Sequence, residues 1–288
     1  MALWRLALRS LVTCFLCLMP SFHILESVVK LAVINIFLFT PLLASAVNVP
    51  PPVAIPKQLY NAFTYYGLIP VVYLYRNDSR SSDQPIIYDP AQVDFFISKA
   101  EAKQVMYYGM TDVYLYQALD KYIDCIAGKN VAVMGSEIPW YESILLAYGA
   151  KPTTIEYNKI ISTDPRLEIF TVDEYEANPK TFDAVLSISS FEHDGLGRYG
   201  DPVNPIGDLI AMGKTKKMLN DDGLLFLAVP VGQDCLVWNL HRVYGKLRLK
   251  ALLQGWRILG YFGFSSENLE QDAWAQAHQP VFVLKPIK

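Results

Sequence analysis

From residue 89 onward the apolar positions change period several times. In "YDPAQVDFFISKAEAKQ", Val93, Phe96, Ile97 and Ala100 recur at helical spacing, and Pro90 suits a first turn. "TDVYLYQALDKYIDCIAG" repeats that pattern. Thr111 or Asp112 can cap its start, Leu115, Leu119, Tyr122, Ile123 and Ile126 form one face, and Gly128 ends it. Short unbroken apolar runs then alternate with helical ones. "NVAVMG", "TTIEYN", "LEIFTV", "FDAVLSIS" and "LLFLAVPV" read as buried strands, and "WRILGYFGF" and "PVFVLKPI" as two more. Between them, "IPWYESILLAYGA" and "DPVNPIGDLIAMGKTKKMLNDDG" read as helices, the latter ending at Asn220–Gly223. Strands alternating with helices predict an α/β fold with right-handed parallel crossovers. Apolar strands throughout predict a sheet covered on both faces, a three-layer sandwich.

The chain before residue 89 follows other rules. Residues 1–48 hold two apolar stretches, and the second, Val28–Val47, has about the length needed to cross a bilayer. Arg5, Arg9 and Lys30 precede it or lie near its start, which predicts an uncleaved signal anchor with the C-terminal part in the lumen of the endoplasmic reticulum or Golgi. Ala44-x-Ala46 offers the alternative of signal-peptidase cleavage and secretion. Residues 49–88 read as a lead-in that starts with a stiff Pro-rich linker, "VPPPVAIP", and residues 89–288 as the α/β domain. Asn77-Asp78-Ser79 is a glycosylation sequon, in keeping with a lumenal domain.

Composition changes this picture little. Hydrophobic residues make up 52% of the 288 and charged residues 18%, which excludes a disordered chain. The net charge is −3 and no basic stripe stands out, so no nucleic-acid partner is expected. Cys125 and Cys235 would allow one disulfide, with its geometry left open.

In an open parallel sheet, ligands sit beyond the carboxyl ends of the strands, so the residues after each strand carry the chemistry. Gly135 and Ser136 follow the first strand, where a tight turn allows close backbone approach. Glu156 follows the second, where two carboxylate oxygens suit a ribose diol. Asp173 follows the third, as an acceptor for an adenine amino group or as a helix cap. The fourth strand leads into "SSFEHDGLGRYGDP", Ser189–Pro202, which gathers Glu192, His193, Asp194, Arg198, Tyr199 and Asp201. His193 is the natural general base there because its ordinary pKa lies near working pH, with Glu192 or Asp194 orienting it or acting themselves. The cluster matches no specific metal motif. Beyond the fifth strand, His241, Arg242 and Tyr244 are placed to hold an acceptor.

"VAVMGS", the acid in "TIEYN", "FDAVLSISSFEH", "LNDDGLLFLAVPVG" and the closing "VFVLKPI" together resemble the class I S-adenosylmethionine-dependent methyltransferases, over roughly Gly128–Lys288. The run "SFEHDGLGRYGDPVNPIGDL", with "GLLFLAVPVG" and "NLHRVYG", is similar to a narrower family of unknown function with nematode and bacterial members. The resemblance implies a Rossmann-like, mostly parallel seven-stranded sheet with an antiparallel last strand. It implies S-adenosylmethionine as cofactor, held by Gly135, Ser136, Glu156, Asp173 and Ser189, and an acceptor held by Arg198, Tyr199, Asp201, His241, Arg242 and Tyr244. The family's acidic-Gly-x-Gly turn is here Met134-Gly135-Ser136-Glu137. Three readings follow: a methyltransferase acting on a small-molecule or glycan acceptor, a nucleotide-sugar-dependent glycosyltransferase-like enzyme, and a non-catalytic binding module on the same fold.

Overall fold

The computed structural model describes residues 50–80, 85–274 and 278–287, all within one unit, Asn48–Lys288. The candidate membrane anchor and its cleavage motif lie outside the described residues, among which no helix is long and apolar enough to cross a membrane. In chain order the elements are β1 (Val71–Tyr73), β2 (Ile86–Tyr88), α1 (Pro90–Glu101), α2 (Met110–Lys121), β3 (Asn130–Met134), α3 (Trp140–Ala147), β4 (Lys151–Glu156), β5 (Ile160–Ser162), β6 (Glu168–Thr171) and α4 (Val172–Ala177). There follow β7 (Phe182–Ile188), α5 (Gly207–Met218), β8 (Leu219–Ala228), β9 (Cys235–Trp238), β10 (His241–Val243), α6 (Arg248–Leu252), β11 (Trp256–Phe262) and β12 (Val281–Pro286).

Seven strands form the main sheet in the order β11-β12-β8-β7-β3-β4-β6. β3, β4, β6, β7 and β8 pair in parallel, whereas β12 runs antiparallel to both its neighbours, β8 and β11. The chain starts in the middle at β3, builds outward through β4 and β6, then crosses back to β7. The order therefore reverses between β3 and β7.

Alternate residues of the central strands pack into two separate cores, as a strand's period of two requires. Val131 and Val133, Ala184 and Leu186, Phe226, and Val283 face one core with α2 and α3. Ala132, Val185, Leu225 and Leu227, and Phe282 face the other, with Met212 and Met218 of α5 and Leu249 and Leu252 of α6. Both faces are apolar because both are covered.

Four local expectations need correction. The first turn of α2 is not capped by Thr111 or Asp112. Gly109 precedes the helix, and the buried Asp112 carboxylate instead accepts the N–H groups of Met106 (2.9 Å) and Tyr107 (3.0 Å). Asn220–Gly223 belongs to the first half of β8, with Asn220, Asp221 and Asp222 exposed, rather than to the end of a helix, and the register slips there against Phe182–Ala184. The lead-in is built into the fold. β1 pairs in parallel with β9, β2 pairs with β5, and Ile55, Phe63 and Ile69 share a core with Leu196, Leu236 and Trp238. Lastly, Cys125 and Cys235 are both free thiols.

A buried ionic group ties the helices beyond β7 and β10 together. Asp208, fully buried on α5, pairs with Arg248 of α6, accepts from the Tyr244 hydroxyl at 2.9 Å and lies 3.8 Å from the Arg242 guanidinium. Burial alone would raise this carboxyl, but Arg242 and Arg248 outweigh burial and hold it below its ordinary range. Its stabilisation is therefore present above the ordinary carboxylate range and is lost on acidification below it. Asp208→Asn strands two buried guanidiniums. It is expected to cost about 3–5 kcal/mol, read as a lower Tm in calorimetry at pH 7 with a smaller gap at acid pH.

Candidate active site at the sheet switch point

The reversal of strand order between β3 and β7 leaves a crevice beyond their carboxyl ends. A solvent-open cavity lies there, with about 640 Å³ of empty space, open solvent included. Its walls come from four places. Tyr107 and Tyr108 lie in the turn before α2. Gly135–Ile138, with Trp140 and Tyr141 of α3, follow β3. Glu156 and Tyr157 stand at the end of β4. Ile188–Ser190, His193, Asp194 and Tyr199 follow β7.

On the β3–β4 side the chain makes a single left-handed turn. Gly135 has φ +73°, and a Cβ there would run into Ser190 Oγ, so only glycine brings these two loops together. The next backbone N–H, of Ser136, donates to Glu156 Oε2 at 3.3 Å, and the Asn158 N–H donates to Glu156 Oε1 at 3.1 Å. Ser136 Oγ is fixed in turn, accepting from the Tyr88 hydroxyl at 2.9 Å and donating to the Ile138 carbonyl at 3.0 Å. Burial pushes the Glu156 carboxyl up to about 7, although the two backbone N–H groups pull it the other way.

The loop after β7 is held from inside and from behind. Asp201 folds back so that its Oδ2 accepts the N–H groups of Gly195 (2.6 Å) and Gly197 (3.1 Å). From behind, Arg242 donates to the Asp194 carbonyl at 2.6 Å and, at 3.3 Å, to the carbonyls of Glu192 and Asn204. Ser189 adopts φ +53°, a strained conformation for a residue with a side chain, at the cavity wall. Its hydroxyl donates to Glu192 Oε1 at 2.6 Å and accepts from Gln279 Nε2 at 3.1 Å. Glu192 is fully buried and its Oε2 meets no hydrogen-bond partner among the described residues. Burial pushes its carboxyl up to about 7.

His193 differs from the expectation of a base near neutrality. Its Nδ1 donates to the Leu240 carbonyl at 2.6 Å, which leaves Nε2 as the acceptor nitrogen, 3.7 Å from Glu192 Oε1. Burial, reinforced by the Arg198 charge, pushes the ring down to about 3, so it stays neutral. Asp194 is raised well above its ordinary value by burial, with Asp201 adding to the effect.

Of the residues expected at a site, Gly135, Ser136, Glu156, Ser189, His193, Asp194 and Tyr199 share the cavity, and Glu192 stands directly behind Ser189. The others lie elsewhere. Asp173 is exposed in the first turn of α4, where Thr171 and Glu174 form the capping box. Asp201, Arg242 and Tyr244 are occupied in holding the loop and the Asp208 group, so they are not on the cavity wall. His241 lies beside His193, ring centroids 6.4 Å apart, and burial followed by the Arg198 charge pushes it down to about 4. It therefore offers an anion no positive charge. Arg198 pairs with Asp78 at 2.6 Å and lines a separate groove. Sequence reasoning missed the aromatic wall of Tyr107, Tyr108, Tyr141 and Tyr157. The signals present were the doublet before Gly109 and the tyrosine directly after Glu156.

An open, mostly parallel sheet with this strand order, an antiparallel last strand and a cavity at its switch point defines a class I methyltransferase-like fold. Within that class the chain belongs to the family DUF268, described as Caenorhabditis protein of unknown function, which it matches over residues 128–284. No curated protein matches it. Among solved structures, it is similar to the Burkholderia thailandensis 1,6-didemethyltoxoflavin-N1-methyltransferase bound to 1,6-didemethyltoxoflavin and S-adenosylhomocysteine. The identity is 13%, with 87% of this chain and 98% of that one covered and a TM-score of 0.45. It is also similar to TehB from Haemophilus influenzae (13% identity, 68% and 67% covered, TM-score 0.43). A protein of Streptococcus mutans (13% identity, TM-score 0.38) aligns with 59% of this chain, which spans 48% of that protein's length. The fold assignment rests on the strand order itself.

The raised Glu156 carboxyl has a consequence for stability. Its proton is bound more tightly folded than unfolded, so stability is lost as pH rises from the ordinary value of 4.5 through about 7. Glu156→Gln lacks that loss. Its Tm relative to wild type is expected to rise between pH 4.5 and pH 8 in calorimetry, and a gap that does not change with pH would contradict the assignment.

Proposed function

We propose that the chain is an S-adenosylmethionine-dependent methyltransferase that acts on a small-molecule acceptor. The observation that carries this reading is Glu156. Its carboxyl is buried at the end of β4, beside the Gly135 turn, in the cavity at the switch point. A carboxylate has about four acceptor positions. The N–H groups of Ser136 and Asn158 take two, and the remaining lone pairs suit a vicinal diol such as the ribose of the cofactor. The faces of Tyr157, Tyr107 and Tyr108 supply the aromatic surface that a purine ring stacks on. When bound, the cofactor supplies an electrophilic methyl carbon on a sulfonium.

On this reading the chain's own residues position the acceptor and take its proton. Ser189 lines the cavity, and its Oγ donates to Glu192 Oε1. As the acceptor oxygen or nitrogen gives up its proton to Ser189 Oγ, the Ser189 proton moves to Glu192. The Glu192 carboxyl, at about 7, has the proton affinity that work near neutrality requires. His193, neutral throughout, orients the acceptor by accepting a hydrogen bond at Nε2. Asp194 and Tyr199 complete the wall around it.

The lumenal placement read from the N-terminal sequence remains part of the proposal, and in that compartment a sugar hydroxyl is a natural acceptor. Asn77 is exposed, and its Oδ1 accepts from Ser79 Oγ at 2.7 Å. A mass shift on glycosidase treatment of the native chain, absent in Asn77→Gln, is the expected outcome. A native chain that glycosidase leaves unchanged would argue against lumenal placement.

Calorimetric titration with S-adenosylhomocysteine tests the central reading, and wild-type protein that does not bind it sinks the proposal. Glu156→Ala is expected to weaken binding by about tenfold or more, the loss of a hydrogen bond to a charged group. Glu192→Gln should leave that affinity intact. It should lower methyl transfer into a small-molecule extract by about 10²–10⁴-fold and abolish the rise of rate with pH centred near 7 that wild type shows.

A further inference from the structure

Next to the cavity lies a second, open groove whose charge is unlike that of the chain. Arg76, Arg80 and Arg198 line it against two carboxylates, Asp78 and Glu137, in a protein of net charge −3. Glu137 lines both the groove and the cavity. Arg198 also joins the two, since its Nη1 lies 3.4 Å from Nδ1 of the cavity residue His193. The groove therefore adjoins the cavity, through Glu137 after β3 and through Arg198 beside His193.

The arginines sit on a strap that is fixed at every second residue. The Leu74 N–H donates to the Trp238 carbonyl at 2.6 Å, and the Asp78 N–H to the Arg198 carbonyl at 2.8 Å. Between them, the Asn239 side chain clamps Arg76, accepting its N–H and donating to its carbonyl, each at 2.8 Å. Asn158 Oδ1 accepts the Arg80 N–H at 2.9 Å. Arg76, Asp78 and Arg80 all line the groove. Asn239 and Asn158 are themselves buried, at 0% and 4% exposure. Burying an amide is costly unless it is paired: Asn239 is paired with the strap's main chain through both its Oδ1 and its Nδ2, and Asn158 through its Oδ1, its Nδ2 meeting no partner among the described residues. Among the described residues no ion pair or hydrogen bond engages the guanidinium of Arg76 or Arg80, whereas Arg198 is held by Asp78. The backbone is fixed and two planar cations are left unspent.

We propose that this groove is an anion subsite for the acceptor, which carries a phosphate or a carboxylate bound by Arg76 and Arg80. The guanidinium fork matches both groups in bidentate geometry. The inference rests on the methyltransferase reading for the word acceptor, and on the groove alone for the anion.

The test uses the full chain in detergent micelles, titrated calorimetrically with glucose 6-phosphate, glucuronate and neutral glucose, each with and without S-adenosylhomocysteine. At least one charged sugar is expected to bind about tenfold or more tightly than glucose. The response identifies the group: phosphate if glucose 6-phosphate binds, carboxylate if glucuronate does. The double variant Arg76→Gln, Arg80→Gln should lose that preference while binding S-adenosylhomocysteine as wild type does. Asp78→Asn, which frees Arg198 from its partner, should tighten binding of the charged sugar. The proposal is overturned if glucose binds as well as both charged sugars, if neither charged sugar binds, or if the double variant binds them unchanged. Charged-sugar binding through Arg76 and Arg80 without S-adenosylhomocysteine binding would retain the subsite and remove the methyltransferase reading. The converse would do the reverse.

Discussion

The candidate site depends on one buried guanidinium. Arg242 reaches from β10 to the carbonyls of Glu192, Asp194 and Asn204, and so fixes from behind the loop that follows β7. A loop with glycines at 195, 197 and 200 has little stiffness of its own. Its shape comes from Arg242 outside and Asp201 inside. Arg242 is held in position by Asp208, which also binds Arg248 and Tyr244, so the post-β7 loop, α5 and α6 share one electrostatic anchor. Removing either partner leaves an unpaired buried charge, the costliest fault available to such a core.

That anchoring also decides the acid–base chemistry. The same burial that locks the loop moves its titratable groups in opposite directions: His193 down to about 3 and Glu192 up to about 7. Read as a free side chain, the histidine is the obvious base. Once enclosed beside Arg198 it is not, and the carboxyl behind Ser189 takes over the range near neutrality. Burial, the first cause in both cases, cannot be read from residue type.

Much of the fold was legible because the sheet is covered on both sides. Unbroken apolar runs such as "FDAVLSI" and "LLFLAV" are the mark of buried parallel strands, and they fell within a residue or two of β7 and the inner half of β8. The turn residues Gly135 and Glu156 were legible because their positions follow from strand ends. What escaped was long-range. β1 pairs with β9 across more than half the domain, and no local pattern in "VVY" announces that pairing. Arg242, Tyr244 and Asp201 looked like ligands because exposed-looking polar residues near a strand end are common to sites and to loop anchors. Only their partners tell the two apart. Tyr107 and Tyr108 lie at the cavity in a turn whose N–H groups at Met106 and Tyr107 are held by the buried Asp112 carboxylate, a contact that helical periodicity does not encode.

The family match begins at residue 128, yet the walls of the site do not. Gly135, Glu156, Ser189 and Glu192 fall inside the matched block. Tyr107, Tyr108 and the arginine strap come before it. The site is thus assembled from both parts of the chain, and Asn158 joins them. Its side chain accepts the Arg80 N–H while its own N–H donates to Glu156, so the segment before the matched block is tied to the acid at the end of β4. A change within residues 74–80 is therefore coupled to Glu156 through one residue rather than insulated from it.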